Sequence, residues 1–376
     1  MDNPFKKFFS NATNMFANEK HDSAVGIDIG SSAIKVVEIK KKSGKAVLET
    51  YGAIALGPYA GVEMGRVTNL PVEKIIEALK EVLKQSGVTS DSTALSISVQ
   101  SSLIFTIELP PQIKESEISQ IVSTEARKYI PVPITEVSLD YFLLPQKEPS
   151  FEEINNPDFV PNKELKTEVL VVAIQNEAVS KLRSVISQCN LSASFFEVEI
   201  FSSIRSNFEH ELSPVLLVDF GASRTKLSLI EFGMVKGYHT INRGGADITD
   251  SISKSLSIPY EKAEELKKEF GLFGDPADKN LAEIIKVHTD YIFSETNNVL
   301  LGYEKKYNRT ISKIIFSGGG ALLKGLKEVA TNEFKAEIEI GRPFSKVGAP
   351  VFLEKVLDTT GPEFAVAIGL ALRKLQ

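Results

Sequence analysis

The chain has 376 residues, of which 43% are hydrophobic and 24% charged, with a formal net charge of −6. That composition is one of a folded protein, the length exceeds a single ordinary core and predicts two or more domains, and the mildly acidic balance gives no encouragement to nucleic-acid binding, which needs a basic face. The single cysteine, Cys189, excludes an intrachain disulfide framework and fits a reducing compartment. No apolar run approaches the ~20 residues needed to span a bilayer and no signal-peptide pattern is read. The expectation is a cytoplasmic chain with no transmembrane segment.

Residues 1–23 stand apart. Phe5, Phe8, Phe9, Met15 and Phe16 fall roughly on one helical face beside Lys6 and Lys7, which reads as a short amphipathic arm or as a frayed tail. Val25–Ile29, Ile34–Lys40 and Ala46–Gly52 then read as a strand meander broken by Gly30-Ser31-Ser32 and Lys42-Ser43-Gly44. An amphipathic helix is predicted over Pro71–Ser86 and a strand over Ala94–Gln100. Leu103–Leu109, a helix at Lys114–Tyr129, Val137–Leu144 and Thr167–Ile174 suggest a small α+β insertion. Its polar stretch at 147–166 reads as an exposed loop. Helix Asn176–Gln188, strand Ala193–Val198 and helix Ile200–His210 follow.

The opening pattern then recurs. Pro214–Phe220, Thr225–Glu231 and Met234–Ile241 are predicted strands, with Gly221–Ser223 as a turn. Helices are expected at Ala246–Leu256, Pro259–Phe270 and Lys279–Tyr307, then a strand at Lys313–Ser317 and a last helix at Gly361–Lys374. Repetition of a whole mixed α/β unit implies two related halves facing each other.

Both units carry Asp-x-Gly-x-Ser-x-x-Lys: Asp28, Gly30, Ser32 and Lys35 match Asp219, Gly221, Ser223 and Lys226. A glycine turn between strands gathers backbone N–H groups into an anion site, and Gly30 lets the main chain approach closely. Ser31 and Ser32 add hydroxyls, and Lys35 adds charge. Asp28 and Asp219 beside a polyphosphate would call for a hard cation such as Mg²⁺. Either turn alone also reads as an ordinary hairpin capped by Asp and Ser; as a matched pair the turns could grip the tail of a nucleotide. Gly318-Gly319-Gly320 after a strand predicts a backbone platform at a helix start. Gly244-Gly245 marks a second strand–glycine–helix junction. Glu264 and Lys267, one helical turn apart, read either as ligand contacts or as a plain ion pair. The histidines His21, His210, His239 and His288 show no metal-ligand spacing.

Two phosphate turns, a Gly-Gly helix and a triple-glycine turn, in that order, resemble the actin/Hsp70/sugar-kinase ATPase superfamily from residue 24 onward. The resemblance implies an α/β fold of two domains with duplicated halves around a nucleotide cleft, with ATP and Mg²⁺ as cofactors. Gly30, Ser31, Ser32, Lys35, Gly221, Ala222, Ser223, Gly244, Gly245, Glu264, Lys267, Gly318, Gly319 and Gly320 would bind the nucleotide, and Asp28 and Asp219 the metal. The divisions implied are residues 24–102 with 176–213 and 351–376 as the first half, 214–243 with 313–350 as the second, and 244–312 as its helical subdomain. An insertion at 103–175 looks like that of FtsA-type proteins. Further, EARKYIPVPITEVSLDYFLLP at 125–145, FEVEIFSSIRS at 196–206 and SGGGALLKGL at 317–326 resemble the PilM family of type IV pilus assembly proteins.

That family resemblance implies a cytoplasmic, actin-like ATP-binding scaffold at the inner face of the cell membrane, serving a type IV pilus or type II secretion platform. Its partner would be the cytosolic N-terminal peptide of a PilN-like inner-membrane protein, held between the insertion and the first half. Pilus motor ATPases are further implied partners, and membrane association would be peripheral, through the partner. Glu199 matches the family's water-orienting Gln or Glu, and equally reads as a helix N-terminal carboxylate. Lys226 stands where many relatives have an acidic or small residue. Binding of Mg-ATP with slow or undetectable hydrolysis is therefore expected. Alternatives on the same fold are an FtsA-like membrane-associated filament protein of cell division and a small-molecule kinase.

Overall fold

The computed structural model describes residues 23–110, 113, 115–144, 167–209, 211, 213–277 and 280–375. The expected N-terminal arm (except Ser23), the loop at 147–166, His21 and His210 lie outside the described residues.

Strands β1 (Ser23–Ile29), β2 (Ala33–Lys42), β3 (Lys45–Ala55), β4 (Ser92–Ile97) and β8 (Ser192–Val198) form one sheet in the order β3-β2-β1-β4-β8. A second sheet has β9 (Val215–Phe220), β10 (Thr225–Glu231), β11 (Met234–Ile241), β12 (Lys313–Ser317) and β13 (Glu337–Ile340) in the order β11-β10-β9-β12-β13. Each sheet is an antiparallel meander continued by two parallel strands. The repeated motif thus extends to repeated topology. Val25 and Ile27 of β1, and Leu216 and Val218 of β9, are fully buried, as near-continuous apolar strands covered on both faces must be.

Helix α1 (Val72–Gln85) buries Ile76, Leu79 and Val82 with Val25, Ile27 and Leu95 of the first sheet. The second sheet's core is roofed by α5 (Gly245–Leu256), α6 (Tyr260–Phe270) and α7 (Asn280–Tyr307), through Ile248, Ile252, Ala263, Ile285 and Phe293. Helix α8 (Leu326–Glu333) and a short helix α9 (Glu354–Thr360) precede α10 (Ala365–Leu375), which packs on β1 and β4. The expected last helix begins four residues later than read, because Gly361–Phe364 is a 3₁₀ turn with proline at its start. After β13 the chain returns to the first sheet: Gly348 exchanges backbone hydrogen bonds with Ala46 and Leu48.

The third sheet, β5 (Ser102–Leu109), β7 (Thr167–Gln175) and β6 (Val137–Leu143), has β7 at its centre. On β7 the alternation of side chains separates Val169, Val171 and Ala173 from Leu170, Val172 and Ile174. The first set packs on α2 (Glu115–Ala126) through Ile118 and Val122. The second set joins Ile200, Phe201 and Ile204 of α4 (Glu199–Asn207), together with Leu217, Ile230 and Ile315 of the second sheet. Helix α2 ends at Ala126, short of the expected Tyr129, and three turn residues follow it before the Pro131-Val132-Pro133 connector. Glu168 of β7 accepts hydrogen bonds from Lys236, Lys306 and Tyr307, each at 3.1 Å, so the inserted sheet is tied to the second half as well.

Close approach of α10 to the first sheet rests on glycine. A Cβ on Gly26 would overlap the Ala367 carbonyl, and one on Gly369 would overlap that of Ser202. Beside this contact, buried Glu197 accepts from Arg205 at 2.7 and 2.8 Å, from Arg373 at 2.5 Å and from Ser202. A buried carboxylate so fully paired is costly to disturb. Gly369→Val is expected to cost at least about 3 kcal/mol, because the overlap is with backbone and no side chain can yield; urea denaturation reads this directly.

On β6, burial pushes the Asp140 carboxyl up from its ordinary 3.8 to about 6, although the Tyr141 amide and Arg373 pull it down. An acid whose folded pKa is raised binds its proton more tightly in the native state. Its contribution is therefore full below the unfolded pKa and is lost as pH rises through that window. Asp140→Asn is expected to be more stable than the parent above pH 6, with the difference closing toward the unfolded value of 3.8. Urea midpoints across that range measure it.

Candidate functional site

Between the two main sheets lies a cavity of about 570 Å³, within the range of small-molecule sites. Its floor is the pair of matched turns. Gly30 N–H donates to Ala33 O and Gly221 N–H to Arg224 O, each at 3.0 Å, so both turns close in the same way. The Ser31 carbonyl accepts from Thr68 N at 2.8 Å, and the Ser32 carbonyl from Leu56 N at 2.8 Å. In the second turn the Gly221 and Ala222 carbonyls accept from Gly245 and Ala246 at 3.0 and 2.9 Å. Ser31, Ser32, Ala222 and Ser223 line the cavity, and their backbone amides have no hydrogen-bond partner among the described residues. Four such amides in one concavity form an anion-binding surface.

The strand register puts the acidic and basic residues on the same face. Asp28 pairs directly with Lys35, and Asp219 with Lys226. Lys35 lines the cavity and has no hydrogen-bonding or ion-pair partner among the described residues. Lys226 differs: its ammonium lies 2.5 Å from Glu199 Oε2 and 3.0 Å from Asp219 Oδ2. Burial alone would lower its pKa, but the carboxylates of Asp219 and Glu199 outweigh that and raise it, so Lys226 stays charged. Burial raises the Asp28 pKa, against the pull of Lys35, and Ser96 Oγ donates to its Oδ1 at 2.8 Å.

The expected acidic residues also make protein contacts of their own. Asp28 and Asp219 both line the cavity, but an oxygen of each already accepts a protein hydrogen bond. The other oxygen of each, Asp28 Oδ2 and Asp219 Oδ1, accepts no hydrogen bond among the described residues, so the pair could take part in the shell of a hydrated Mg²⁺ held mainly by phosphates and waters. Glu199 is the first residue of α4, as its helix-terminal reading predicts. Its Oε1 accepts from Val99 N at 2.9 Å and its Oε2 from Lys226, so the carboxylate is held in place from both sides.

The side and roof come from the second half. Gly318, Gly319 and Gly320 line the cavity, but they open a 3₁₀ turn at Gly319–Leu322, and α8 begins only at Leu326. The helix-dipole argument for that platform therefore falls, because Gly318 (φ 78°) and Gly325 (φ 82°) are left-handed and interrupt the helix. What remains is close approach: a Cβ on Gly318 would sit 2.5 Å from Asp219 Oδ1, and one on Gly320 would enter the Phe220 ring. Gly245 lines the cavity, whereas Gly244 does not; it caps α5 where a Cβ would overlap the Ala222 carbonyl.

Glu264 and Lys267 are both wall and ion pair, 2.6 Å apart, and Lys267 also donates to Gly245 O at 3.0 Å and Thr249 Oγ1 at 2.8 Å. Burial would raise the Glu264 pKa, but Lys267 beside it holds the carboxyl below its usual range. Residues not foreseen from sequence also line the cavity, among them Met64, Gly65, Gln100, Lys268 and Glu363. The Gly65 region crosses the mouth: Tyr260 OH donates to Gly65 O at 3.2 Å, and the Arg66 guanidinium lies 4.0 Å over the Tyr260 ring. No motif marks these positions, which reach the cavity only through contacts distant in sequence.

The family described as type IV pilus assembly protein PilM matches residues 26–375. A solved structure described as a PilM-PilN type IV pilus biogenesis complex contains a chain 25% identical to this one; the superposition has a TM-score of 0.77 and covers 95% of this chain and 100% of that one. Cell division protein FtsA of Pseudomonas aeruginosa is 24% identical over 389 residues, covering 94% of this chain and 89% of that protein. The ethanolamine utilization protein EutJ of Carboxydothermus hydrogenoformans shares the fold, with a TM-score of 0.52 at 14% identity over 96% of this chain and 92% of that one. The architecture is the actin-like ATPase fold, with an inserted α+β sheet.

Proposed function

Because the chain belongs to the PilM family of type IV pilus assembly proteins, we propose that it is a cytoplasmic nucleotide-binding scaffold of the pilus inner-membrane platform. In this reading it binds ATP in the cleft and the cytosolic N-terminal peptide of a PilN-like membrane protein on its inserted subdomain. The observation that carries the nucleotide half is the pair of matched turns, closed by the same hydrogen bond, that line one cavity together with Lys35. The triphosphate would lie on Ser31, Ser32, Ala222 and Ser223, and the nucleoside toward Gly318–Gly320, Glu264 and Lys267. With Glu199 tied to Val99 N and Lys226, hydrolysis would be slow, and bound nucleotide would act as a structural or switching ligand.

The partner half is supported by the solved complex of a relative with PilN and by the surface of the insertion. There β5 and β6 are edge strands, open in principle to an added strand. Leu103, Tyr129 and Leu143 are exposed nearby, and Tyr129 stacks on Phe105 at 4.9 Å. Among the described residues no helix is long and apolar enough to cross a membrane, so attachment at the inner face of the membrane would run through that partner. Pilus motor ATPases would be further neighbours in the platform.

Lys35→Met is expected to weaken ATP binding about tenfold to a hundredfold, the worth of a hydrogen bond to a charged group. Its folding stability should stay within about 0.5 kcal/mol of the parent; calorimetric titration and urea denaturation measure the two. An unchanged affinity would remove Lys35 from the phosphate site.

A synthetic peptide of the organism's own PilN-like cytosolic N-terminus should bind one-to-one in calorimetry. A shift of its affinity with ATP would make the cleft a regulator of that partner. A folded, nucleotide-bound chain that ignores the peptide would sink the partner assignment and leave the cleft reading standing.

A further inference from the structure

Positive charge is unevenly placed on this chain. Its net charge is −6, yet four of the six residues at 40–45 (KKKSGK) are lysines. They form the tip of the β2–β3 hairpin, where Lys42 pairs with Lys45 across a turn made by Ser43 and Gly44. Lys41, Lys42 and Lys45 are exposed. Glu49 lies 3.3 Å from the Lys40 ammonium and 3.2 Å from that of Lys42, so one carboxylate answers four ammonium groups.

Beside this hairpin two large apolar side chains stand in solvent. Val351 is 84% exposed and Phe352 81%, the highest values for large hydrophobic side chains among the described residues. Both belong to a 3₁₀ turn, Val351–Leu353. The segment leading into it is fastened to β3 at Gly348, which donates to Ala46 O and accepts from Leu48 N, each at 2.8 Å. Three residues span at most about 10 Å, so the turn stays close to the base of the hairpin. Leu353 packs inward with Ile39 and Leu48, which anchors the turn and leaves its first two side chains pointing out. The chain also enters the sheet at this end: Ser23 pairs with Lys40, so residues 1–22, with Phe5, Lys6, Lys7, Phe8 and Phe9, connect here.

We propose that this face is a membrane-contact surface. The hairpin lysines settle on the head groups of an anionic bilayer, while Val351 and Phe352 enter its interfacial layer. Single exposed apolar residues are ordinary; the lysine cluster beside these two supplies the charge complementarity that selects an anionic lipid surface. Each lysine close to such a surface is worth about fivefold in partition, and an aromatic ring adds apolar burial at the head-group boundary. Two signals together hold a peripheral protein where either alone is marginal. The cleft lies at the other end of β1, at the Gly30 turn, so a membrane at the hairpin tip leaves it uncovered. The inference goes beyond the nucleotide and partner readings and depends on neither.

The test is co-sedimentation of the purified full chain with vesicles of phosphatidylcholine alone, or mixed with phosphatidylglycerol. The parent is expected to partition at least about tenfold more strongly onto the mixed vesicles and to lose that preference at high salt. Lys41→Glu combined with Lys45→Glu is expected to lower the partition at least about tenfold, and Phe352→Ser about threefold or more. The same charge change on the helices that roof the second sheet, Lys254→Glu combined with Lys286→Glu, should stay within about threefold of the parent. All five positions are exposed, so urea midpoints and ATP affinity are expected to match the parent.

A parent that ignores the mixed vesicles overturns the proposal. So does a roof pair that loses as much as the hairpin pair, because overall charge would then be responsible. Unchanged binding by the hairpin pair or by Phe352→Ser also overturns it. A sedimentation coefficient that falls in Phe352→Ser without lipid would assign the apolar turn to contact with a second copy of the chain, and would overturn the membrane assignment.

Discussion

Residues directly opposite each other on paired antiparallel strands project from the same face of a sheet. Pairing Asp28 with Lys35, and Asp219 with Lys226, therefore puts an acid and a base from each hairpin on one side of its sheet. All four line the same cavity. A slip of one residue in either hairpin would turn its pair away from the cleft. The register is held at the turns, where Gly30 and Gly221 donate to Ala33 and Arg224. Those two registers place the charges of the cleft floor, including the lysine that Glu199 meets across the cleft.

Around that floor the packing sets what can move. Helix α10 lies on the first sheet through glycine contacts, and its Arg373 shares buried Glu197 with Arg205. The inserted sheet has no such single allegiance. One face packs on its own helix, while the other is buried against α4 and the second sheet, and Glu168 adds three bonds to the second half. A partner seated on the insertion would therefore feel the position of both halves, since a closely packed contact resists continuous deformation. Near Gly65, by contrast, the halves meet through a cation–π contact, one hydrogen bond and an Arg66–Asp250 ion pair at 3.7 Å.

Much of this was legible in the residues. The repeated Asp-x-Gly-x-Ser-x-x-Lys stretch announced two hairpins with matching turns, and the structure extends the repeat to two sheets of the same strand order. The glycines at 318–320 marked a close backbone approach, but a run of glycines does not say whether a helix or a 3₁₀ turn follows. The left-handed angles at Gly318 and Gly325 settle that. Gly244 and Gly245 look alike in sequence, and only one faces the cavity, because the other packs under the Ala222 carbonyl. Met64, Gly65 and Glu363 carry no local signal, since they reach the site from segments with no share in the repeat.

Local chemistry therefore determined the strands, the turns and the types of charge at the cleft: spacing, glycine placement and apolar alternation act over a few residues and can be read along the chain. The partners of those charges belong to the tertiary structure. Lys35 and Lys226 occupy the same place in the same motif, yet Lys35 makes no hydrogen bond or ion pair among the described residues whereas Lys226 is bound by Glu199 and Asp219. Glu199 comes from the opposite half of the molecule, and an ion pair depends on distance in space, which the motif alone does not encode.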